Sequence, residues 1–126
     1  MTSEELARRV AAIADAKQAA DIVVLDMRGM VAYTDFLVLC TARNPRQAKA
    51  VHDDVRETMK REEGLVPDHV EGEREAGWIL VDYLDAILHV FSPEARDYYR
   101  LETLWGEAPR LDLDLAGAPR AASSGG

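Results

Sequence analysis

The chain has 126 residues, of which 48% are hydrophobic, and a formal net charge of −8 at neutral pH. That length suits one hydrophobic core and is too short for two. The acidic balance argues against a protein that binds nucleic acid mainly through phosphate contacts, because such contacts need an excess of Lys and Arg. Cys40 is the only cysteine, which excludes an intrachain disulfide and suits a reducing compartment.

The N-terminal sequence and the hydropathy of the chain predict a cytoplasmic protein. Residues 1–5 are Met-Thr-Ser-Glu-Glu, which is acidic where a secretory signal peptide is basic. No apolar stretch approaches the roughly 20 residues that a membrane-spanning helix needs. We therefore expect no membrane contact.

The first third of the chain predicts a helix followed by two strands. Thr2 and Glu5 have the spacing of a capping box, and apolar residues then recur at helical spacing to a point near Ala20. Ile22–Met27 and Asp35–Thr41 are rich in β-branched and apolar residues. We predict that they pair as an antiparallel hairpin with a long connection.

A second helix is predicted after this hairpin. Asn44 is suited to cap its first amides, Pro45 to occupy its first position, and Gly64 to close it in a left-handed conformation after about Glu63. The predicted apolar stripe consists of Ala48, Val51, His52, Val55 and Met59.

Three strands are predicted next. His69–Glu71 is a short extended segment, followed by a charged loop with glycine at both ends. Trp78–Tyr83 and Ala86–Phe91 are strand-like runs joined at Leu84-Asp85, which predicts a second hairpin.

A last helix is predicted from Ser92-Pro93 to Trp105-Gly106. We assign residues 1–106 to a single domain and expect residues 107–126 to be a disordered tail, because that segment is poor in large apolar residues. The predicted order is α-β-β-α-β-β-β-α. Two hairpins on either side of a helix give an α/β protein of the α+β type, with a small mixed sheet and helices packed on it.

Catalytic and metal sites have weak support in the sequence. Asp82 and Asp85 are two carboxylates of the kind that hold a divalent cation in a phosphoryl transferase, but they bracket a predicted turn, where aspartate is common. No glycine-rich phosphate loop accompanies them. The histidines lack the spacing of a zinc site, so we expect no metal and no cofactor. We predict that His52, His89 and Cys40 are buried.

The segment between residues 62 and 107 has an unusual composition. It contains twelve acidic residues against three arginines, an excess of nine negative charges. Its large aromatic residues are Trp78, Tyr83, Phe91, Tyr98, Tyr99 and Trp105. In one continuous helix, Tyr98, Leu101 and Trp105 would face the core and Tyr99 would not. Aromatic residues among acids are typical of a surface that binds a basic protein, although a merely solvated acidic face is the alternative.

A spaced set of motifs in this segment is more specific than its composition. It consists of Val70-Glu71-Gly72-Glu73, Trp78-Ile79-Leu80-Val81-Asp82-Tyr83-Leu84-Asp85, His89-Val90, Arg96 and Tyr99-Arg100-Leu101-Glu102-Thr103-Leu104-Trp105. This set resembles the signature of the Iojap-like ribosomal silencing factors. The resemblance extends upstream and covers roughly residues 4–106. One departure follows Thr41, where the family usually has Thr-Gly-x-Ser and then histidine, and this chain has Ala42-Arg43-Asn44 and then Gln47.

The resemblance implies a fold similar to that of nucleotidyltransferases without their catalytic residues. It implies a factor of stationary phase or nutrient limitation that binds the large ribosomal subunit at the subunit interface. The partner there would be the large-subunit ribosomal protein numbered fourteen, and binding would block joining of the small subunit and repress translation. Homodimers, no DNA contact and at most peripheral rRNA contact are also expected.

Eight residues form the predicted partner-binding site. They are Trp78, Asp82, Tyr83, Asp85, His89, Arg96, Tyr99 and Glu102. We expect the three aromatic residues to anchor the partner, the three acids to meet its basic side chains, and the histidine and arginine to position the acids or bond across the interface. Two alternatives stay open: a nucleotidyltransferase-like enzyme that uses Asp82 and Asp85 with a divalent cation, and a dimeric adaptor without ribosome contact.

Overall fold

The computed structural model describes residues 1–72 and 77–115. The helices are α1 (Ser3–Ala16), α2 (Pro45–Glu63), α3 (Pro93–Tyr99) and α4 (Leu101–Leu104), and the strands are β1 (Ala20–Asp26), β2 (Phe36–Thr41), β3 (His69–Glu71), β4 (Trp78–Asp82) and β5 (Ala86–Phe91). Within these residues the strands form one sheet in the order β1-β2-β5-β4-β3. Strands β2 and β5 are parallel and the other neighbours are antiparallel, which confirms the predicted mixed α+β fold. None of the helices in the described ranges combines the length and the apolar content that crossing a membrane requires.

The predicted caps of both long helices are confirmed. The Glu5 amide donates to the Thr2 hydroxyl at 3.1 Å, and the Thr2 amide donates to the Glu5 carboxylate at 2.7 Å. The Asn44 side chain accepts from the Gln47 amide at 2.8 Å. Gly64 closes α2 with a φ of 67°, a conformation that glycine adopts without steric cost. Local sequence therefore determines where these helices begin and where α2 ends.

The end of α1 differs from the prediction. The helix stops at Ala16, and Ala20 already belongs to β1. The side-chain amide of Gln47 donates to the carbonyl oxygens of Lys17 and Gln18 at 3.0 and 2.9 Å. Because α2 satisfies these two carbonyl groups, the alanine-rich sequence leaves the helical conformation earlier than its propensity predicts.

The sheet has a first face that packs against α1 and α2. Alternate strand residues such as Val38 and Leu88 point to this face and contact helix residues of one buried cluster. The predicted stripe of α2 is buried there, and His52 is hydrogen-bonded to Asp53 at 2.9 Å. Cys40 is fully buried in the same cluster. The predicted core positions of His52 and Cys40 are therefore confirmed.

The second face of the sheet is covered by shorter helices than the first face. Strand residues such as Leu39, Ile87 and Phe91 form a separate cluster, against which Leu101 and Trp105 pack. The two short helices α3 and α4 cover only part of this face. Trp78 and Leu80, which lie on it, are only half-buried.

The single last helix of the prediction is two helices in the structure. Arg100 separates α3 from α4 with a φ of 49° and a ψ of 52°. A left-handed residue breaks the helical phase, so residues before and after it do not share one stripe. Leu101 and Trp105 pack against the second face as predicted, but Tyr98 is 80% exposed and the prediction that it faces the core is wrong.

The segment after α4 contacts the edge of the sheet. It lies beside β1 and pairs with it through two backbone hydrogen bonds. They are Asp26 N–H to the Pro109 carbonyl at 2.7 Å and Leu111 N–H to the Val24 carbonyl at 2.9 Å. Pro109 and Leu111 thus satisfy backbone groups at the edge of the sheet, while the disorder of residues 107–126 stays a prediction. Residues 116–126 lie outside the described residues.

Candidate partner-binding site

An aromatic cluster lies on the second face of the sheet, where β4 begins and β5 ends. The β4–β5 register places Trp78 opposite Phe91, and Leu80 opposite His89. The Trp78 ring centroid is 4.4 Å from that of Tyr99 and 5.1 Å from that of Phe91. Tyr99 is 47% exposed. Three of the predicted site residues, Trp78, His89 and Tyr99, are thus brought together.

His89 is bonded within this cluster. The Trp78 indole Nε1 donates to His89 Nδ1 at 2.9 Å, and the His89 ring is stacked on Phe91 with an interplanar angle of 8°. His89 is 7% exposed, and burial lowers its pKa to about 4. The expectation of a buried histidine is confirmed. The sequence predicted that His89 positions an acid or bonds across the interface, whereas its hydrogen bond in the structure is to Trp78.

A groove of 480 Å³ lies beside this aromatic cluster. It is lined by Trp78, Leu80, Ala95 and Tyr99 together with Glu71. Leu80 was not among the predicted site residues. Its signal was the strand alternation that places it on the same face as Trp78.

Gly72 is required at the edge of this groove. It has a φ of +80°, and a Cβ atom at this position would lie 1.9 Å from the carbonyl oxygen of Trp78. Only glycine allows the chain after β3 to approach the start of β4 so closely. The glycine of the family signature therefore fixes the position of the Trp78 backbone.

The most exposed aromatic residue, Tyr98, adjoins the cluster. Its ring lies 5.0 Å from that of Tyr99 in an edge-to-face arrangement. Sequence reasoning missed this residue because it assumed one continuous helix. With Tyr98 included, the accessible apolar surface extends from the sheet onto α3.

Arg96 and Glu102 are bonded to each other. Arg96 Nε and Nη2 donate to the Glu102 carboxylate at 2.7 to 3.1 Å, and Arg96 Nη1 donates to the Thr41 hydroxyl at 2.9 Å. The side chains of Arg96 and Glu102 are only 10% and 24% exposed. The Arg96 guanidinium lowers the pKa of the Glu102 carboxyl group. This clamp, defined as Thr41, Arg96 and Glu102, joins α3 to α4 and to the end of β2.

Asp82 and Asp85 bracket the β4–β5 turn. The Asp82 carboxylate accepts from the Leu84 amide at 2.7 Å, and Leu84 has a φ of 71°. The Asp85 carbonyl accepts from the Phe36 amide at 3.2 Å. These contacts favour the turn interpretation. No group of three or more His, Cys, Asp or Glu side chains in residues 1–72 and 77–115 is arranged to hold a metal ion.

Tyr83 lies on the first face of the sheet and not with Trp78 and Tyr99. It belongs to the cluster beneath α1 and α2, and its hydroxyl has no hydrogen-bond partner among the described residues. Burial raises its pKa to about 12. The structure therefore does not bring Tyr83 together with Trp78 and Tyr99.

Acidic residues border the groove on the side of β3. The β3–β4 register places Glu71 opposite Leu80 and His69 opposite Asp82, so their side chains share the second face. His69 Nε2 lies 2.5 Å from the Glu71 carboxylate, and this carboxylate raises the pKa of His69. The groove is thus lined on this side by the Glu71 carboxylate, which is bonded to His69, and Asp82 lies further along the same face.

Comparison with known proteins decides the family. The family described as ribosomal silencing factor during starvation matches residues 1–125. The chain belongs to this family. A ribosomal silencing factor of Bacillus subtilis (strain 168) is 38% identical to this family member over 115 residues, which are 91% of this chain and 97% of that protein. A second ribosomal silencing factor, from Halalkalibacterium halodurans, is 33% identical over 114 residues, which are 90% of this chain and 97% of that protein.

The fold of this family member is similar to solved structures. A crystal structure of a protein from Chromobacterium violaceum superposes with a TM-score of 0.80 at 28% sequence identity, covering 94% of this chain and 98% of that one. These findings confirm the resemblance to the ribosomal silencing factors that was inferred from the sequence motifs.

The departure of this family member from the usual motif after Thr41 has a structural explanation. Gln47 is buried, and its side-chain oxygen accepts from the Arg43 amide at 2.7 Å while its amide nitrogen bonds to the end of α1. Gln47 therefore ties the start of α2 to the chain before β1. We therefore assign Gln47 a structural role.

Proposed function

We propose that this silencing-factor family member binds the large ribosomal subunit at the subunit interface and sterically blocks joining of the small subunit. It would thereby repress translation in stationary phase or nutrient limitation, without catalysing a reaction. The support for a ribosome partner is the family match over residues 1–125 and the names of the relatives. The support for a binding mechanism comes from the surface of the second face.

The observation that carries the proposal is an accessible aromatic surface. We define the docking surface as Trp78, Leu80, Tyr98 and Tyr99 with the flanking carboxylates of Glu71 and Asp82. Tyr98 and Tyr99 are 80% and 47% exposed and adjoin each other. Large aromatic side chains that adjoin a groove are typical anchors of protein interfaces, where Trp and Tyr contribute much of the binding energy.

The chemistry of this surface fits a basic protein. The chain carries a net charge of −8, Glu71 lines the groove, and Asp82 lies on the same face of the sheet. Lys and Arg side chains of a partner would meet these carboxylates while an apolar side chain enters the groove. On the ribosome we propose the large-subunit protein numbered fourteen as that partner, with rRNA contact at most peripheral.

Several residues of the predicted site support the docking surface from behind. His89 bonds to Trp78, and Arg96 and Glu102 bond to each other. Their role in the proposal is to hold the anchors in place. Contact with the partner is assigned to the exposed side chains.

Cosedimentation of the purified protein with isolated large subunits tests the proposal. We expect binding to large subunits and not to small subunits, and weaker binding as the salt concentration rises, because the proposed contacts pair opposite charges. Tyr98→Ser should weaken binding by about tenfold or more if Tyr98 is an anchor. Tyr33→Ser is the matched control, since Tyr33 is also an exposed tyrosine, at 58%, but lies between β1 and β2.

Absence of binding to large subunits at low salt would contradict the proposal, and so would equal effects of Tyr98→Ser and Tyr33→Ser. The steric mechanism needs a second measurement. Large subunits saturated with the protein should form fewer complete ribosomes when small subunits are added. Normal joining on saturated large subunits would retain the binding claim and contradict the silencing mechanism.

A further inference from the structure

The hydrogen bond between Trp78 and His89 determines which nitrogen of the histidine carries its proton. An indole N–H can only donate, so His89 Nδ1 must accept the bond of 2.9 Å. In the neutral ring the proton then resides on Nε2. The burial that lowers the pKa of His89 to about 4 keeps the ring neutral at physiological pH.

The Trp78 ring is held by three neighbours. His89 bonds to its nitrogen, Phe91 lies 5.1 Å away, and Tyr99 lies 4.4 Å away between ring centroids. Of these three contacts, the bond to His89 is the directional one, because ring packing alone tolerates rotation of an aromatic side chain more readily than a hydrogen bond does. His89 itself is stacked on Phe91 and buried.

We propose that His89 is a positioning residue that fixes the orientation of Trp78, and through Trp78 that of Tyr99, before a partner binds. It acts behind the docking surface and does not touch the partner. The effect of this positioning on partner binding rests on the proposed function. A side chain that is already ordered loses less conformational freedom on association, which is worth on the order of threefold to tenfold in affinity.

Nuclear magnetic resonance of the isolated protein tests the positioning without ribosomes. We expect a neutral His89 protonated at Nε2 at pH 7, and a Trp78 indole proton that exchanges slowly with water. His89→Phe keeps a ring on Phe91 but removes the acceptor, so it should shift or broaden the ring resonances of Trp78 and Tyr99. A His89 protonated at Nδ1, or unchanged Trp78 and Tyr99 resonances in His89→Phe, would overturn the proposal.

Two further variants separate positioning from a general loss of packing. His89→Asn places a carbonyl oxygen near the position of Nδ1 and should restore the Trp78 signals at least in part. His52→Phe is the matched control, because His52 is also a buried histidine but bonds to Asp53 beneath the first face. We expect it to leave the Trp78 and Tyr99 resonances unchanged. Equal disturbance by His52→Phe and His89→Phe would count against a specific role for His89.

A second test measures the affinity of the variants for large ribosomal subunits. We expect His89→Phe to weaken binding about fivefold, the value of one hydrogen bond, and His89→Asn to recover part of the loss. Trp78→Phe removes the donor, so adding His89→Phe to it should cause no further loss. Independent losses in the double variant would overturn the proposal. Failure of the unmodified protein to bind large subunits would overturn the proposed function, while the resonances still decide the positioning of Trp78.

Discussion

Replacing Arg96 by leucine should loosen the two short helices, because it removes four hydrogen bonds at once and leaves Glu102 without its cation. Loss of one partner of a buried ion pair costs about 3–5 kcal/mol. Since Glu102 keeps some solvent contact, at 24% exposure, we expect the lower end of that range, about 3 kcal/mol. For a domain of this size, about 4 °C per kcal/mol gives a fall in Tm of about 12 °C.

Thermal unfolding followed by circular dichroism measures this change. Arg61→Leu is the control, because Arg61 is 57% exposed and its carboxylate partners lie 3.3 and 3.8 Å away. An exposed pair of this kind is screened by solvent and contributes about 0.5 kcal/mol. Arg96→Leu combined with Glu102→Leu should be less destabilised than the sum of the single variants, because no unpaired charge is left.

The pH dependence provides a further check on the clamp. Arg96 lowers the pKa of Glu102 in the folded state, so the stability that this pair contributes is present above the ordinary pKa of the carboxyl group. It is lost as the pH falls through the lowered value. The difference between the unmodified protein and Arg96→Leu should therefore shrink in acid. A fall in Tm no larger than that of Arg61→Leu, or a difference that does not shrink in acid, would refute the reasoning.

Three other substitutions or reactions have expected outcomes. Tyr83→Phe removes a buried hydroxyl that has no partner among the described residues, so the free energy of unfolding in urea should rise by about 1 kcal/mol, and a fall would contradict this. Gly72→Ala places a Cβ atom 1.9 Å from the Trp78 carbonyl oxygen, so it should cost more than about 2 kcal/mol in the same measurement. The Cys40 thiol should resist a disulfide reagent at pH 8 until guanidinium unfolds the protein, because burial raises its pKa to about 12; rapid reaction of the native protein would contradict its burial.

Elements with local signals could be predicted from the sequence. Asn44 and Gly64 mark the ends of α2 because a cap depends on the residue and its immediate neighbours. The β4–β5 hairpin follows from two apolar runs on either side of Leu84-Asp85. These are short-range interactions, so the sequence contains the necessary information within a few residues.

Elements that depend on distant contacts could not be predicted in this way. The end of α1 is set by Gln47, about thirty residues away in the chain. The hydrogen bonds between the segment after α4 and the edge of β1 could not be predicted from the composition of that segment. The break at Arg100 follows no glycine or proline, and the clamp that spans it includes Thr41, 55 residues from Arg96. The pattern of residues within a short stretch of sequence contains no information about contacts with distant residues.

The candidate site was only partly predictable. The composition and the signature indicated Trp78 and Tyr99, which do lie together. The separation of Tyr83 from Trp78 was predictable, because strand alternation places Trp78 and Leu80 on one face and Tyr83 on the other. Tyr98 required knowledge of the break between α3 and α4, for which the sequence contains no clear local signal.

The signature residues of this family member divide into groups with different physical roles. Tyr99 is accessible, His89 and Arg96 are bonded within the fold, and Asp82 caps a turn. Loss of ribosome binding in a His89 or Arg96 variant therefore does not identify a contact, since the same loss follows from a displaced Trp78 or a loosened α3. Tyr98 lies outside the signature but is 80% exposed and adjoins Tyr99. Its substitution changes the proposed docking surface while leaving the bonds of the fold intact, so Tyr98→Ser discriminates contact from support more directly than any buried residue of the signature.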